Sequence, residues 1–169
     1  PVVSSAASDV YKRQALKTST YIIESLPENL QLKHKLYKEI EHISNNAIIL
    51  SSTSGFKPTD LQKHMKNPQS LLVTHPFNPV YLMPLVELVP GQERDQKIVD
   101  DVHHLLEYIG MEPIIIKKEI DAFVADRMLE AMWREALWLI KDDICTTKEL
   151  DDIILSLIHI SEPTRPAII

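Results

Sequence analysis

Five short apolar runs, each closed by polar or turn-forming residues, decide what this chain can fold into. They are Tyr21-Ile22-Ile23-Glu24, Ala47 to Ser51, Ser70 to Thr74, Leu85 to Val89, and Glu112 to Lys117 with Ile114-Ile115-Ile116 at its centre. Short continuous runs of this kind suit strands buried on both faces. Between them the period changes. Leu26, Leu30, Leu36, Tyr37, Ile40 and Ile43 recur at helical spacing, with Pro27 suited to the first turn and Glu28 near the positive helix end. Thr59-Asp60 opens a short helix over Leu61 and Met65. Arg94 to Tyr108 forms an amphipathic helix with Ile98, Val102, Leu105 and Ile109 inward, and Gly110 supplies its stop. Pro76, Pro79 and Pro84 argue against regular structure between Thr74 and Leu85. Strands alternating with helices predict the α/β class, with parallel βαβ units.

The alternation ends near Lys118-Glu119. Asp121 to Lys141 is one long helical pattern without a strand. Thr146 and Glu149 form a capping box that opens another helix, cut off at Ile154. The expected organisation is the C-terminal part of a parallel-sheet domain at residues 15–118, then the start of an all-helical domain at residues 119–154.

The two flanks, residues 1–14 and 155–169, are set apart from this pattern. Val10-Tyr11-Lys12-Arg13-Gln14 can be encoded as GTG TAT AAG AGA CAG. The reverse complement of that string reads Leu-Ser-Leu-Ile-His, which is Leu155 to His159. An inverted repeat bounding an insert is what transposon-style library tagging leaves. Ser4 to Gln14 and Leu155 to Arg165 resemble translated sequencing adapters, and both flanks are excluded from fold reasoning. The expected natural segment is Ala15 to Ile154.

A length of 169 residues is enough for one domain with a real core. The net charge of −6 and the scattering of Lys and Arg argue against nucleic-acid binding. No apolar run approaches a membrane span, so no membrane partner is expected. A single cysteine, Cys145, allows no internal disulfide and suits a reducing, cytoplasmic setting. His103 and His104 are adjacent and so do not share a helix face. No metal site is expected.

Polar residues capable of chemistry cluster at the ends of the apolar runs, where open α/β sheets bind ligands. His75-Pro76-Phe77-Asn78-Pro79 follows one run, and Ser51-Ser52-Thr53-Ser54-Gly55 follows another. A lone His beside a strand is usually structural. Here Glu87 lies 12 residues on, in a strand that could return beside the first. Its neighbours Leu85, Val86, Leu88 and Val89 are all apolar, so a buried carboxylate there needs a partner. An imidazole supported by a carboxylate is the base that oxidation of a secondary alcohol requires. Ser54 and Asn78 serve either turn chemistry or hydrogen bonds to a substrate oxygen or a cofactor carboxamide. A Ser-His-acid hydrolase is disfavoured because Ser54 lacks the G-x-S-x-G elbow. On the long helix, Asp126, Glu130 and Trp133 fall near one face, which suits a cationic ligand through charge and cation–π attraction. Trp133 and Trp138 so close together more often mark core or a domain interface.

These motifs resemble the 3-hydroxyacyl-CoA dehydrogenase family. The resemblance rests on Ser51 to Ser54, His75 to Pro79, Leu85-Val86-Glu87 and Ala122 to Arg127. It spans essentially Ala15 to Ile154. Within the family, the chain is most similar to the L-carnitine dehydrogenases, notably in His75 to Gly91 and in Glu119 to Trp138. The resemblance implies a Rossmann-type domain, a helical domain that forms a homodimer, and NAD as cofactor. It implies that His75 is the general base, Glu87 its partner, and Ser54 a contact to substrate and to NAD. Asn78 would also touch NAD. Glu28 and Lys33, in the segment matching the family's Glu-Asn-Leu motif, would lie near the cofactor. Asp126 stands where acyl-CoA members carry Asn, and with Trp133 it would suit a trimethylammonium substrate. Asp121-Ala122 stands where they usually carry Pro-Gly.

The implied reaction is oxidation of L-carnitine to 3-dehydrocarnitine. A short-chain 3-hydroxyacyl-CoA dehydrogenase of fatty acid metabolism and a non-catalytic, crystallin-like relative are the alternatives. The chain has three glycines and no G-x-G-x-x-G or P-loop. The expectation is therefore that it is a fragment, inactive by itself.

Overall fold

The computed structural model describes residues 14–44 and 46–161. The outer parts of both flanks, residues 1–13 and 162–169, lie outside the described residues. The chain divides into two units, the first ending at Val124 and the second beginning at Ala125.

All five apolar runs are strands of one sheet. They are β1 (Tyr21–Glu24), β2 (Ile48–Ser51), β3 (Leu71–Pro76), β4 (Leu85–Pro90) and β5 (Glu112–Ile115), and they neighbour one another in sequence order. β1, β2 and β3 are parallel, as are β4 and β5. The β3–β4 pair is antiparallel, the short return beside the first strand that places Glu87 near His75. The cause is connection length. Residues 77–84 are too few for the crossover of about a dozen or more residues that a parallel return needs. Pro76 ends β3 as its last residue, so the irregular stretch starts later than the prolines alone suggested.

Helix α1 (Leu30–Ile43) links β1 to β2, α2 (Pro58–Gln62) lies between β2 and β3, and α3 (Gln96–Tyr108) joins β4 to β5. α1 begins later than its apolar period implied. Asn29 is its N-cap, with extended backbone, and its side chain accepts the Leu32 N–H at 2.9 Å. Pro27 and Glu28 therefore precede the helix. α3 buries Val99, Val102 and Leu106. Ile109, expected inward, is 60% exposed because it lies past the helix end, just before Gly110 turns the chain at φ 86°.

Alternate strand residues feed two core layers, as the pleat requires. Ile49, Leu71, Val73 and Val89 pack with Tyr37, Ile40, Leu61 and Phe123 on one face. Leu50, Leu72, Val86 and Leu88 pack with Val99, Val102 and Leu106 on the other. Between sheet and loop sits Gln62, whose Nε2 donates to the carbonyls of Leu71 at 3.0 Å and Glu93 at 3.2 Å. A Cβ on Gly91 would collide with its Oε1 and lie 2.6 Å from its Cδ. Gly91→Ala is expected to displace Gln62 and lower stability by about 1–3 kcal/mol. Urea denaturation checks this, and an unchanged midpoint would contradict it.

The second unit contains α4 (Ala125–Lys141) and α5 (Thr147–Ser161). The long helix does not start at Asp121. Ala122 at φ 58° and Phe123 at φ 46° are left-handed, and Phe123 is fully buried in the sheet unit. That anchor carries the division of the chain past Lys118-Glu119. The capping box forms as expected: Thr146 N–H donates to Glu149 at 2.8 Å, and Glu149 N–H donates to Thr146 Oγ1 at 3.3 Å. The Thr146 N–H and the Thr146 hydroxyl, which also donates to the carboxylate at 2.8 Å, hold the Glu149 carboxyl below its ordinary range. α5 runs through Ile154 to Ser161 rather than stopping there. Among the described residues, no helix is long and apolar enough to cross a membrane.

Candidate active site

The β3–β4 register sets His75 directly opposite Glu87. Cross-strand neighbours on one face are in side-chain reach of each other, and here they meet. His75 Nδ1 lies 2.9 Å from Glu87 Oε2, with the two residues only 7% and 3% exposed. The other carboxylate oxygen, Oε1, accepts the Val124 N–H at 2.9 Å. That amide follows the two left-handed residues, a conformation that costs about 1–2 kcal/mol for each non-glycine residue. Phe77 and Phe123 flank the imidazole, each with its ring centroid 5.4 Å away. The contact between Nδ1 and Glu87 fixes the orientation of the ring.

The serine-rich loop after β2 is held from behind. Glu28 accepts from Thr53 Oγ1 at 2.7 Å and from the Ser54 N–H at 2.9 Å. Ser52 Oγ donates to the Glu24 carbonyl at 3.1 Å. Glu28 thus fixes the loop that carries Ser54 and does not line the cavity in front of it. Lys33 is placed elsewhere. It is fully buried, and its Nζ donates to Glu24 at 2.9 and 3.1 Å and to the Leu26 carbonyl at 3.0 Å.

Ser54, His75 and Asn78 share the lining of one cavity of about 590 Å³. Ser25, Ser52 and Thr74 add further hydroxyls, and Ile23, Leu50 and Val86 belong to its apolar wall. Hydroxyls and an amide beside apolar walls can accommodate a planar ring that carries hydrogen-bonding groups. Among the described residues, no Lys or Arg lines this cavity. In the second unit, Asp126 stands in the first turn of α4. Trp133 lines an apolar cavity of about 390 Å³ with Leu129, Met132, Leu137, Leu150 and Ile154. The residue that sequence reasoning missed is Val124. A backbone donor carries no residue signature, and the one available signal was the non-helical turn hidden in Asp121-Ala122.

Residues 5–120 match the model of the 3-hydroxyacyl-CoA dehydrogenase NAD-binding domain. The chain belongs to this family. L-carnitine dehydrogenase of Mesorhizobium japonicum is 56% identical over 142 residues, covering 83% of this chain and 39% of that protein. The same coverage of this chain, at 50% identity, is found with an L-carnitine dehydrogenase/betainyl-CoA thioesterase of Rhizobium meliloti, of which 29% is spanned. Among solved structures, an NAD-dependent FHMPC 5-dehydrogenase superposes with a TM-score of 0.80 at 30% identity, covering 85% of this chain and 47% of that one. The (S)-3-hydroxybutyryl-CoA dehydrogenase of Ralstonia eutropha gives 0.75 at 31% identity, covering 87% and 55%. The chain therefore spans less than half the length of the curated relatives it matches. The fold is that of the family's NAD-binding domain, and NAD is its cofactor.

Proposed function

We propose that this segment belongs to an NAD-dependent dehydrogenase that oxidises the 3-hydroxyl of L-carnitine to give 3-dehydrocarnitine. The observation that carries the reading is the buried His75–Glu87 pair, closed by the Val124 amide, at the wall of a cavity shared with Ser54 and Asn78. His75 takes the hydroxyl proton. Glu87 stabilises the imidazolium that results, and Ser54 fixes the substrate oxygen. Asn78 and Ser54 hold the nicotinamide end of NAD, which supplies the hydride acceptor when bound. Glu28 positions Ser54 through its amide. That the chain spans 39% and 29% of two L-carnitine dehydrogenase relatives supports assigning the activity to a longer protein. The isolated chain is then inactive, and the active protein is a homodimer through its helical part.

Carnitine is preferred over an acyl-CoA substrate because Asp126 provides a carboxylate at the start of α4, with Trp133 two turns on. The high identity to proteins named for L-carnitine supports the same choice. A charge pair at 4 Å is worth about 4 kcal/mol at an effective dielectric of 20. Asp126→Asn in the full-length enzyme is therefore expected to lower kcat/KM for carnitine by roughly tenfold or more. It should leave 3-hydroxybutyryl-CoA turnover nearly unchanged. Steady-state assays of both substrates with NAD decide between them. Equal carnitine turnover by wild type and variant would remove Asp126 from substrate recognition, and better turnover of the CoA ester would favour the acyl-CoA reading.

A further inference from the structure

The antiparallel turn between β3 and β4 gives the sheet a second set of strand carboxyl ends. β1 to β3 end on the side of His75. β4 and β5 run the other way, and Pro90 at the end of β4 pairs with Leu72, three residues before His75 along β3. At roughly 3.3 Å per residue, that places the exit of β4 about 10 Å along the sheet from the catalytic pair. Ligands of open α/β sheets bind outside strand carboxyl ends. A cleft of about 450 Å³ lies at this second set, within the size range of ordinary ligand sites.

Its lining holds four cations and one carboxylate, Glu119. Arg94 comes from the loop after β4, Lys117 and Lys118 from the segment after β5, and Lys57 from the N-cap position of α2. The carboxylates nearby are already engaged. Glu119 accepts from the Thr59 N–H at 3.0 Å and from Gln92 Nε2 at 3.3 Å. Asp121 pairs with Lys57 at 3.3 Å. Arg94, Lys117 and Lys118 have no carboxylate partner among the described residues. These positions are far apart in a sequence whose net charge is −6. The fold gathers them onto one concave surface, where their mutual repulsion would be relieved by an anion of several charges. The His75 cavity, by contrast, has no Lys or Arg in its lining among the described residues.

We propose that this cleft binds a small molecule through a diphosphate or triphosphate group, with Arg94, Lys117 and Lys118 as its charge partners. The site is distinct from the one that takes the nicotinamide, and it does not depend on the substrate reading above. Amide NMR shifts of the 169-residue chain, titrated with pyrophosphate and separately with ADP, test it. Saturable shifts confined to residues 90–94 and 117–119, with Ser54 and His75 unmoved, are expected. The affinity should fall with added salt, since screening acts on exposed charges. Lys117→Gln with Lys118→Gln should weaken binding tenfold or more, and Arg94→Gln should weaken it independently. Lys38→Gln, outside the lining of the cleft, should leave it unchanged. ADP and pyrophosphate binding equally would identify the phosphates as what is recognised, and tighter ADP binding would identify a nucleotide. The proposal is overturned if neither anion saturates, or if the Lys117/Lys118 double variant binds as well as the parent chain.

Discussion

Replacing His75 by Gln in the full-length enzyme is expected to lower kcat by roughly two to four orders of magnitude, the range typical of losing a general base. Gln can fill the space and donate a hydrogen bond to Glu87, so the geometry built on that carboxylate is retained. What it cannot do is accept the substrate proton. The loss should therefore appear in kcat, with the KM for carnitine and the affinity for NAD little changed. Glu87→Gln should cost less in rate. Its side-chain oxygen can still accept either the His75 or the Val124 proton, but the charge that supports the imidazolium is gone. Stopped-flow measurement of NADH formation separates the two variants. If His75→Gln turns over like the parent enzyme, the buried pair is structural. If neither protein forms NADH, the reading as a non-catalytic relative takes its place.

That pair was legible in the sequence because chemistry and burial made conflicting demands on Glu87. A carboxylate inside Leu85 to Val89 needs a partner, and His75 stands at the end of the preceding run. Strand pairing then needed only a short return, which residues 77–84 provide. The three central strands were legible because their apolar runs are buried, whereas Ile23 of β1 and Ile114 and Ile115 of β5 stay exposed at the edges of the sheet. The direction of β4 follows from that short return, since direction is set by connection length, while alternation of strands and helices suggests crossovers. The start of α1 was misplaced because Leu26 continues the helical period, whereas Asn29 captures the Leu32 amide and ends it there. Lys33 could not be placed from its sequence motif. A lysine in a family segment looks like a ligand contact, and only the fold turns its ammonium inward to Glu24. The cationic cleft was equally hidden, since its four residues come from three separate segments.

Lys33→Met is expected to destabilise the sheet unit by about 3–5 kcal/mol, the cost of leaving one member of a buried ion pair without the other. Glu24 is 2% exposed and would keep its carboxylate in the interior. Its remaining partners are Tyr37 OH at 2.6 Å, Ser51 Oγ at 2.7 Å and the Leu26 amide at 2.5 Å. A loss of that size is a large share of the roughly 5–15 kcal/mol that holds an ordinary domain.

In the parent chain, burial alone would raise the Glu24 carboxyl. The hydrogen bonds from Lys33, Tyr37, Ser51 and Leu26 outweigh it and hold the group below its ordinary value of 4.5. A carboxyl whose folded value is depressed contributes stability above its unfolded value and loses it as pH falls through the folded one. Stability should therefore drop below about pH 4.5, and the Glu24→Gln variant, lower at neutral pH, should show a shallower acid limb. Tyr37 stays a donor throughout, because burial and the neighbouring carboxylate push its hydroxyl far above the ordinary tyrosine range.

The double variant Glu24→Leu with Lys33→Met should recover much of the loss, since apolar replacement of a whole buried pair is often nearly neutral. Urea midpoints for the two single variants and the double complete the cycle. Additive losses would mean that the pair is not coupled. The consequence reaches the active site through one short segment. The Glu24–Lys33 pair fixes Leu26 two residues from Glu28, and Glu28 holds the Ser54 amide. A repacked double variant that folds well but binds NAD or carnitine poorly would show that the buried charges are kept for the position of Ser54 rather than for stability.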